Sequence, residues 1–307
     1  MNTHSKRYTD LNSYLRSLFG CRVQKISIDA GLSCPNRDGT LSTEGCIYCN
    51  LRGSGTGAYS RGLSISQQLE NGKNILSRRY KAKRFIAYFQ SFSNTYASIE
   101  TLNTLYEEAL AVKDVVGLSV GTRPDCITEP VLNLLQAYTQ KYLIWIEYGL
   151  QSVHDRSLLL INRGHNFHTF ETAVAATRNR GIRICAHVIL GLPQEEKKHM
   201  IETAKTIAAM EIDGVKLHLL YVIKETQLEK IYKRGEYRCL GQQEYVNLVC
   251  DFLEHLPKDM IIQRLTGDPH PDELAAPMWS LNKNQTLSLI HEELKKRNTW
   301  QGRLASQ

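Results

Sequence analysis

The chain has 307 residues, 42% of them apolar and 22% charged, with a formal net charge of +7. That is the composition of an ordinary soluble protein, long enough for one large domain or two small ones. The polar start "MNTHSKRYTD" and the shortness of the most apolar stretch, "YLIWIEYGL", argue against an export signal and a membrane span.

The protein is therefore expected to be cytoplasmic, with no membrane partner. In a reducing cytosol its eight cysteines more often bind metal or do chemistry than form disulfides, and a disulfide framework is the weaker alternative. The positive charge favours a polyanionic partner, although many basic proteins bind none.

The first strand-like segment, "VQKISID", is followed by "CPNRDGTLSTEGCIYC", a loop with Cys34, Cys46 and Cys49 among Gly31, Gly39 and Gly45. Such a loop can turn three thiolates towards one point. A structural zinc ion takes four ligands and an ordinary iron-sulfur cluster takes four cysteines, so three leave a metal position open. A zinc site completed by His165, His187 or a distant cysteine is the plain alternative. The other five cysteines stand singly in apolar or helical contexts and read as core thiols.

Residues 77–84, "SRRYKAKR", form a basic helix end that suits an RNA backbone or a solvated face equally. The strand-like "RFIAYFQ" ends at Gln90 and Ser91, where a polar strand-to-helix loop is the ordinary reading. After the amphipathic "IETLNTLYEEALAV", "VVGLSVG" leads into "GTRPD". There Gly121 permits a tight exit, and Arg123 fits a carboxylate, a phosphate or a surface salt bridge. "LIWIEYGL" carries Glu147, with Gln151 four residues on. A carboxylate in that apolar run needs a partner, and a structural ion pair would provide one. "INRGH" sets Arg163 and His165 around Gly164, suited to an anion or to a helix end. His187, in "IRICAHVIL", is a lone histidine on an apolar strand and reads more readily as a hydrogen-bonded core residue than as a catalyst. In "GVKLHLL" the two-residue period puts Lys216 and His218 on one face, and two bases inside a barrel call for an acid or an anionic ligand.

Near-continuous apolar strands separated by helical stretches such as "HMIETAKTIAAM" predict a parallel sheet covered on both faces. Six such units fit a doubly wound sheet or an incomplete βα barrel, and both bind ligands at the C-terminal ends of the strands. Beyond residue 225 the pattern turns helical, in "GQQEYVNLVCDFLEHL" and "NKNQTLSLIHEELKKR", with one strand-like piece, "MIIQRL". The expected division is a barrel with an N-terminal helix and the cysteine loop over residues 1–225, and an extension packed on it over 226–307.

Three cysteines after the first strand, with Tyr48 before the last, resemble the radical S-adenosylmethionine (radical SAM) superfamily. Eleven residues separate Cys34 from Cys46, wider than the usual spacing. With "CPNRDGT" this resembles the Elongator-catalytic-subunit-like branch and, within it, the bacterial MnmL/YtqA/YhcC family. The likeness runs on through "AYFQSFSNTYA", "VGTRPDC", "EYGLQSVHDRSL", "INRGHNF", "HVILGLPQE", "DGVKLHLLYVIKET" and "QRLTGDP". His187 and Gln194 depart from the superfamily's usual glycine and acid, and Gln90–Phe92 from its usual glycines and glutamate.

The resemblance implies an α/β fold, a partial (βα)6 TIM-type barrel with a mainly helical C-terminal extension. It implies a 4Fe-4S cluster on Cys34, Cys46 and Cys49 that chelates S-adenosylmethionine, whose reductive cleavage gives a hydrogen-abstracting deoxyadenosyl radical. By the same resemblance Tyr48, Gln90, Ser91, Arg123, Glu147, Gln151, Arg163, Ile189 and Gly191 bind the cosubstrate, and His165, His187, Lys216 and His218 face the substrate. The implied substrate is tRNA, with carboxymethylaminomethyl-uridine at the wobble position converted to aminomethyl-uridine and a flavodoxin or ferredoxin as reductant. Tyr59, Phe92 and Tyr96 would be stacking platforms for bases. The chain ends where the Elongator subunit continues into an acetyltransferase domain, so an acetyl-CoA-dependent reaction is not expected. Two other readings stand: a radical SAM enzyme acting on a small metabolite, and a zinc-stabilised RNA-binding protein without catalysis.

Overall fold

The computed structural model describes residues 6–50, 53 and 62–305. In chain order the main elements are α1 (Leu11–Phe19), β1 (Val23–Ile28), α2 (Ile65–Tyr80), β2 (Arg84–Phe89), α3 (Ile99–Ala111), β3 (Val115–Thr122), α4 (Glu129–Tyr138) and β4 (Leu143–Gln151). They continue as α5 (Asp155–Leu160), α6 (Phe167–Thr177), β5 (Arg183–Leu190), α7 (Lys197–Ala209), β6 (Gly214–Leu219), β7 (Val222–Ile223), α8 (Gln227–Lys233), α9 (Gln242–Glu254), β8 (Ile261–Arg264), β9 (Leu274–Ala276) and α10 (Lys283–Lys296). Local chemistry sets many of the boundaries. Asp10 accepts a hydrogen bond from the Ser13 N–H to start α1, and Gly20, at φ 67°, ends it. Ser64 and Gln67 make a reciprocal capping box on α2.

Seven strands form one parallel sheet in the order β1-β2-β3-β4-β5-β6-β8, while β7 and β9 make a small antiparallel pair. All six strand-like segments of the repeating pattern are strands. The partial barrel with a mainly helical C-terminal part is what the structure shows, with one strand more than six. "MIIQRL", expected within the extension, pairs through β8 with β6, Gly214 opposite Ile261. The intervening α8 and α9 lengthen that crossover, so the local pattern did not reveal the pairing.

The sheet curls until its two edges meet. Lys25 on β1 donates to the Gln263 side chain on β8 at 2.6 Å, although these strands stand at opposite ends of the order. Outward-facing residues such as Ile144, Ile146 and Tyr148 pack under the helices in the main core. Inward-facing residues form layers, because side chains alternate along each strand. In the lowest layer Trp145, Cys185 and Ile261 meet Leu11 and Tyr14 of α1. The Tyr14 and Trp145 rings cross edge to face, centroids 6.1 Å apart. Helix α1 is thus an apolar plug at the N-terminal end of the strands. Among the described residues no helix is long and apolar enough to cross a membrane.

Candidate active site

One step up the same strands the inward face turns polar. Glu147 on β4 is fully buried, and its carboxylate receives Lys25 from β1, Lys216 from β6, Ser119 from β3 and, at 2.6 Å, His187 from β5. Lys216 also donates to the Tyr88 hydroxyl at 3.0 Å. Burial pushes the Glu147 carboxyl up, but the ammonium groups of Lys216 and Lys25 and the His187 hydrogen bond outweigh it and hold it well below the usual range. Burial and the Lys216 charge push His187 down to about 4, leaving a neutral imidazole. The acid that the sequence demanded for Lys216 is therefore present in the fold, and Glu147 has the ion pairs that its burial requires.

Above this layer the barrel opens into a cavity at the C-terminal ends of the strands, walled in part by the cysteine loop. That loop is clamped from several sides. Asn36 donates to the Asn162 carbonyl at 2.6 Å, and Asn162 donates to the Gly45 carbonyl at 2.7 Å. The Ile47 N–H donates to the Ile161 carbonyl, and the Leu228 N–H to the Ile47 carbonyl. Gly45 sits at φ 73°, where a Cβ would lie 2.8 Å from the Arg37 guanidinium. Arg37 in turn donates to the Cys49 carbonyl at 2.5 Å.

Cys34, Cys46 and Cys49 all face the cavity. The Cys46 Sγ lies 3.6 Å from Arg163 Nη1 and 3.7 Å from Asn36 Nδ2, donors suited to a thiolate. Burial and the neighbouring Cys46 push the Cys49 thiol up to about 11. A metal reverses that preference by replacing the proton, and it needs deprotonated ligands. The ligand atoms of Glu147, Cys185 and His187, in the layer below, lie within 4.8 Å of one another. A clamped loop that brings three thiols, and no fourth protein ligand from the loop, to the wall of an open cavity fits a 4Fe-4S cluster with one position left by the protein.

Most of the residues singled out in the sequence converge here. Tyr48, Gln90, Ser91, Arg123, Glu147, Gln151, Arg163, His187, Ile189 and His218 line the cavity. Arg123 makes a bidentate pair with Asp125, at 2.9 and 2.7 Å, and donates to the Arg163 carbonyl at 2.7 Å. Arg163 donates to the Gly149 carbonyl at 2.7 Å. Gly149 has no room for a side chain, since a Cβ would lie 2.4 Å from Arg163. The register shifts between Gly149 and Gln151, and Gln151 adopts φ 76°, an irregularity that re-aims the strand end.

Three residues lie elsewhere. Lys216 belongs to the layer below the cavity. His165 is off the cavity wall, and burial with the nearby Arg163 and Arg123 charges pushes its imidazole down to about 3. Gly191 is also off the wall, where its carbonyl accepts the Tyr237 hydroxyl at 2.8 Å and a Cβ would lie 3.0 Å from Leu240. Among the aromatic platforms, Phe92 lines the cavity, Tyr96 shares a 2.9 Å hydrogen bond with Thr40, and Tyr59 lies outside the described residues. Cys126, Cys185 and Cys250 are buried, Cys21 and Cys239 half-buried, and all are free thiols.

The basic "SRRYKAKR" segment is at the other end of the molecule. Helix α2 runs back along the sheet and ends just before β2, and the Arg22 guanidinium, beside the start of β1, lies 5.2 Å from the Tyr80 ring. Arg78, Arg79 and Lys81 therefore sit at the N-terminal ends of the strands, away from the cysteine loop. The segment, which suited an RNA backbone or a solvated face equally, thus stands apart from the cavity mouth. The sequence reading also missed Lys25, Asn36, Arg37, Ser119 and Arg264. Only the inward parity of Lys25 in "VQKISID" hinted at its place.

Family comparisons agree with this geometry. The radical SAM superfamily model matches residues 39–207 and the Radical_SAM C-terminal domain model matches 212–296. The chain is 44% identical to the uncharacterized protein YtqA of Bacillus subtilis over 97% of this chain and 92% of YtqA. It is 27% identical to a tRNA uridine(34) acetyltransferase of Methanocaldococcus infernus, over 50% of this chain and 29% of that protein. The fold resembles the archaeal Methanocaldococcus infernus Elp3 lacking its N-terminus, with a TM-score of 0.64 at 18% identity, covering 91% of this chain and 64% of that one. With the cysteine-walled cavity at the strand ends of a curled parallel sheet, these matches make the chain a member of the radical SAM superfamily, whose enzymes use a 4Fe-4S cluster and S-adenosylmethionine.

Proposed function

We propose that this enzyme modifies tRNA, converting carboxymethylaminomethyl-uridine at the wobble position to aminomethyl-uridine. The observation that carries the reading is the likeness over half of the chain to a tRNA uridine(34) acetyltransferase, joined to a cavity with three thiols on its wall. The net charge of +7 and the cationic lining of the cavity suit a polyanionic substrate.

When bound, the cluster and cosubstrate supply one-electron cleavage and a hydrogen-abstracting radical, with the electron coming from a flavodoxin- or ferredoxin-type donor. The protein's own residues bind, orient and exclude water. In this reading Cys34, Cys46 and Cys49 hold the cluster, while Arg163 and Asn36 offset negative charge on Cys46. Tyr48, Gln90, Ser91, Gln151 and Ile189 border the cosubstrate. Glu147 acts through the groups that it orients, Lys216 and His187, and Arg123 and Asp125 brace the wall behind Arg163. His165 and Gly191 support the site from outside the cavity.

The test is a nucleoside comparison of tRNA from a deletion strain and its parent. Aminomethyl-uridine and its derivatives should disappear in the deletion strain and carboxymethylaminomethyl-uridine should accumulate. Identical profiles would contradict the reading and favour a small-metabolite substrate.

A further inference from the structure

Arg264 closes β8 and lines the cavity beside His218 and Tyr221. Its Nε donates to the Thr266 carbonyl at 2.6 Å, which fixes the plane of the guanidinium. The other cavity arginines are committed. Arg123 pairs with Asp125, Arg163 holds the Gly149 carbonyl and approaches Cys46, and Arg37 holds the Cys49 carbonyl. Among the described residues no carboxylate pairs with Arg264. The acids of the following loop are engaged elsewhere, Asp268 by Lys283 at 3.1 Å, Asp272 by His270 at 3.7 Å and Glu273 by the Asn50 amide at 3.2 Å.

His218 shares this wall, and its Nε2 is buried without a hydrogen-bond partner. Burial and the Arg264 charge keep the imidazole neutral, well below the ordinary histidine range. A neutral ring still has one N–H to give. In the layer beneath, Lys25 and Lys216 already share the single Glu147 carboxylate, so no spare negative charge rises from below. A cation without a counter-ion and a buried ring nitrogen without a partner, on one wall of one cavity, are both satisfied by the same ligand. The planar fork of a guanidinium matches the two oxygens of a carboxylate.

We propose that Arg264 and His218 form the subsite that receives a carboxylate of the substrate. The proposal rests on the tRNA reading in one respect, that the side chain of carboxymethylaminomethyl-uridine ends in a carboxylate. The subsite would tell that side chain from its neutral analogues. It also sets the carboxymethyl end against the wall formed by β6 and β8.

The experiment uses the cluster-loaded enzyme with S-adenosylmethionine bound, comparing wild type, Arg264→Gln, Arg264→Lys and His218→Gln at equal iron content. The probes are N-methylglycine, which carries the carboxymethylamine unit, and its primary amide, which keeps the amine but lacks the carboxylate, each titrated by calorimetry. Wild type should bind the acid and discriminate against the amide. Arg264→Gln should weaken acid binding roughly 10- to 100-fold, the range for one charge-assisted hydrogen-bonded contact. His218→Gln should weaken it less, and Arg264→Lys should recover part of the loss. Equal acid binding in wild type and Arg264→Gln, or no preference for acid over amide in wild type, would overturn the subsite. A matching loss of S-adenosylmethionine affinity in Arg264→Gln would overturn it too, by assigning the guanidinium to the cosubstrate's carboxylate. A parallel arm measures turnover of tRNA carrying carboxymethylaminomethyl-uridine. If wild type binds the acid as expected but leaves that tRNA unchanged, the subsite stands and the tRNA reading fails.

Discussion

Two layers of one barrel, a single pleat apart, do opposite things. At Trp145, Cys185 and Ile261 the inward face is apolar and sealed by α1. At Glu147 and His187 the same faces of β4 and β5, joined by Lys216 of β6, carry a buried charge network, and at Gly149, Ile189 and His218 the inward faces of β4, β5 and β6 border an open cavity. The lower layer is a core and the upper layers are a site. Stability and chemistry are thus divided along each strand rather than between strands.

The sharpest separation should come from the cysteines. Replacing Cys34, Cys46 and Cys49 together by alanine should abolish iron binding, while the folded far-UV circular dichroism persists. Replacing Cys126, Cys185 or Cys250 singly should leave the iron content unchanged, because these buried thiols lie outside the cysteine loop.

Next in size are the two layers themselves. Trp145→Ala should cost about 3–5 kcal/mol in chemical denaturation, the range for truncating a large buried aromatic. Glu147→Ala should cost a similar amount, about 3–5 kcal/mol, because it leaves Lys25 and Lys216 buried without their counter-charge. Gln151→Ala, on the cavity wall, should cost less than about 1 kcal/mol yet lower deoxyadenosine formation. Equal stability losses at Trp145 and Gln151 would break the layered account.

Acid should find the middle layer before the bottom one. His187 stays neutral in the folded protein down to about 4, whereas its ordinary value is 6.5. Between those values the unfolded chain binds more protons, so stability falls as the pH drops through that window. The loss from His187 alone is about 3 kcal/mol at about 1.4 kcal/mol per pH unit. His165 and His218 act in the same direction, while the depressed carboxyl of Glu147 adds its loss only below its ordinary 4.5. His187→Gln should reduce the slope of stability against pH by about one proton. Denaturation of the apoprotein at stepped pH values measures this, and an unchanged slope would mean that His187 is already charged in the fold.

The smallest effect is expected at the remote end. Replacing Arg78, Arg79 and Lys81 together should change tRNA affinity by less than about threefold at physiological salt, since these cations lie at the N-terminal ends of the strands and exposed charges are screened within about 8 Å. A filter-binding titration checks this, and a large loss would place RNA around the bottom of the barrel.

Much of this was legible in the sequence because period-two and helical patterns are local. The six apolar strands, the loop of three cysteines and the shared face of Lys216 and His218 could all be read directly. What escaped depended on contacts far apart in the chain. Lys25 shows its role only when β1, β4 and β8 are brought together, and Arg264 only when β8 is known to lie beside β6. "SRRYKAKR" was read by its composition, but its end of the molecule is set by the direction of α2, which composition does not encode. Arg123 was read as a cation for a carboxylate, a phosphate or a salt bridge, and Asp125, two residues on, supplies the salt bridge.

The most direct measurement is anaerobic incubation of the cluster-loaded enzyme with S-adenosylmethionine, a low-potential reductant and tRNA carrying carboxymethylaminomethyl-uridine, followed by nucleoside mass spectrometry. Aminomethyl-uridine should appear together with deoxyadenosine, and neither should form with the triple cysteine variant. Deoxyadenosine without any change in the tRNA nucleosides would contradict the proposed substrate. Neither product from an iron-replete wild-type enzyme would contradict the cavity as a site of radical chemistry.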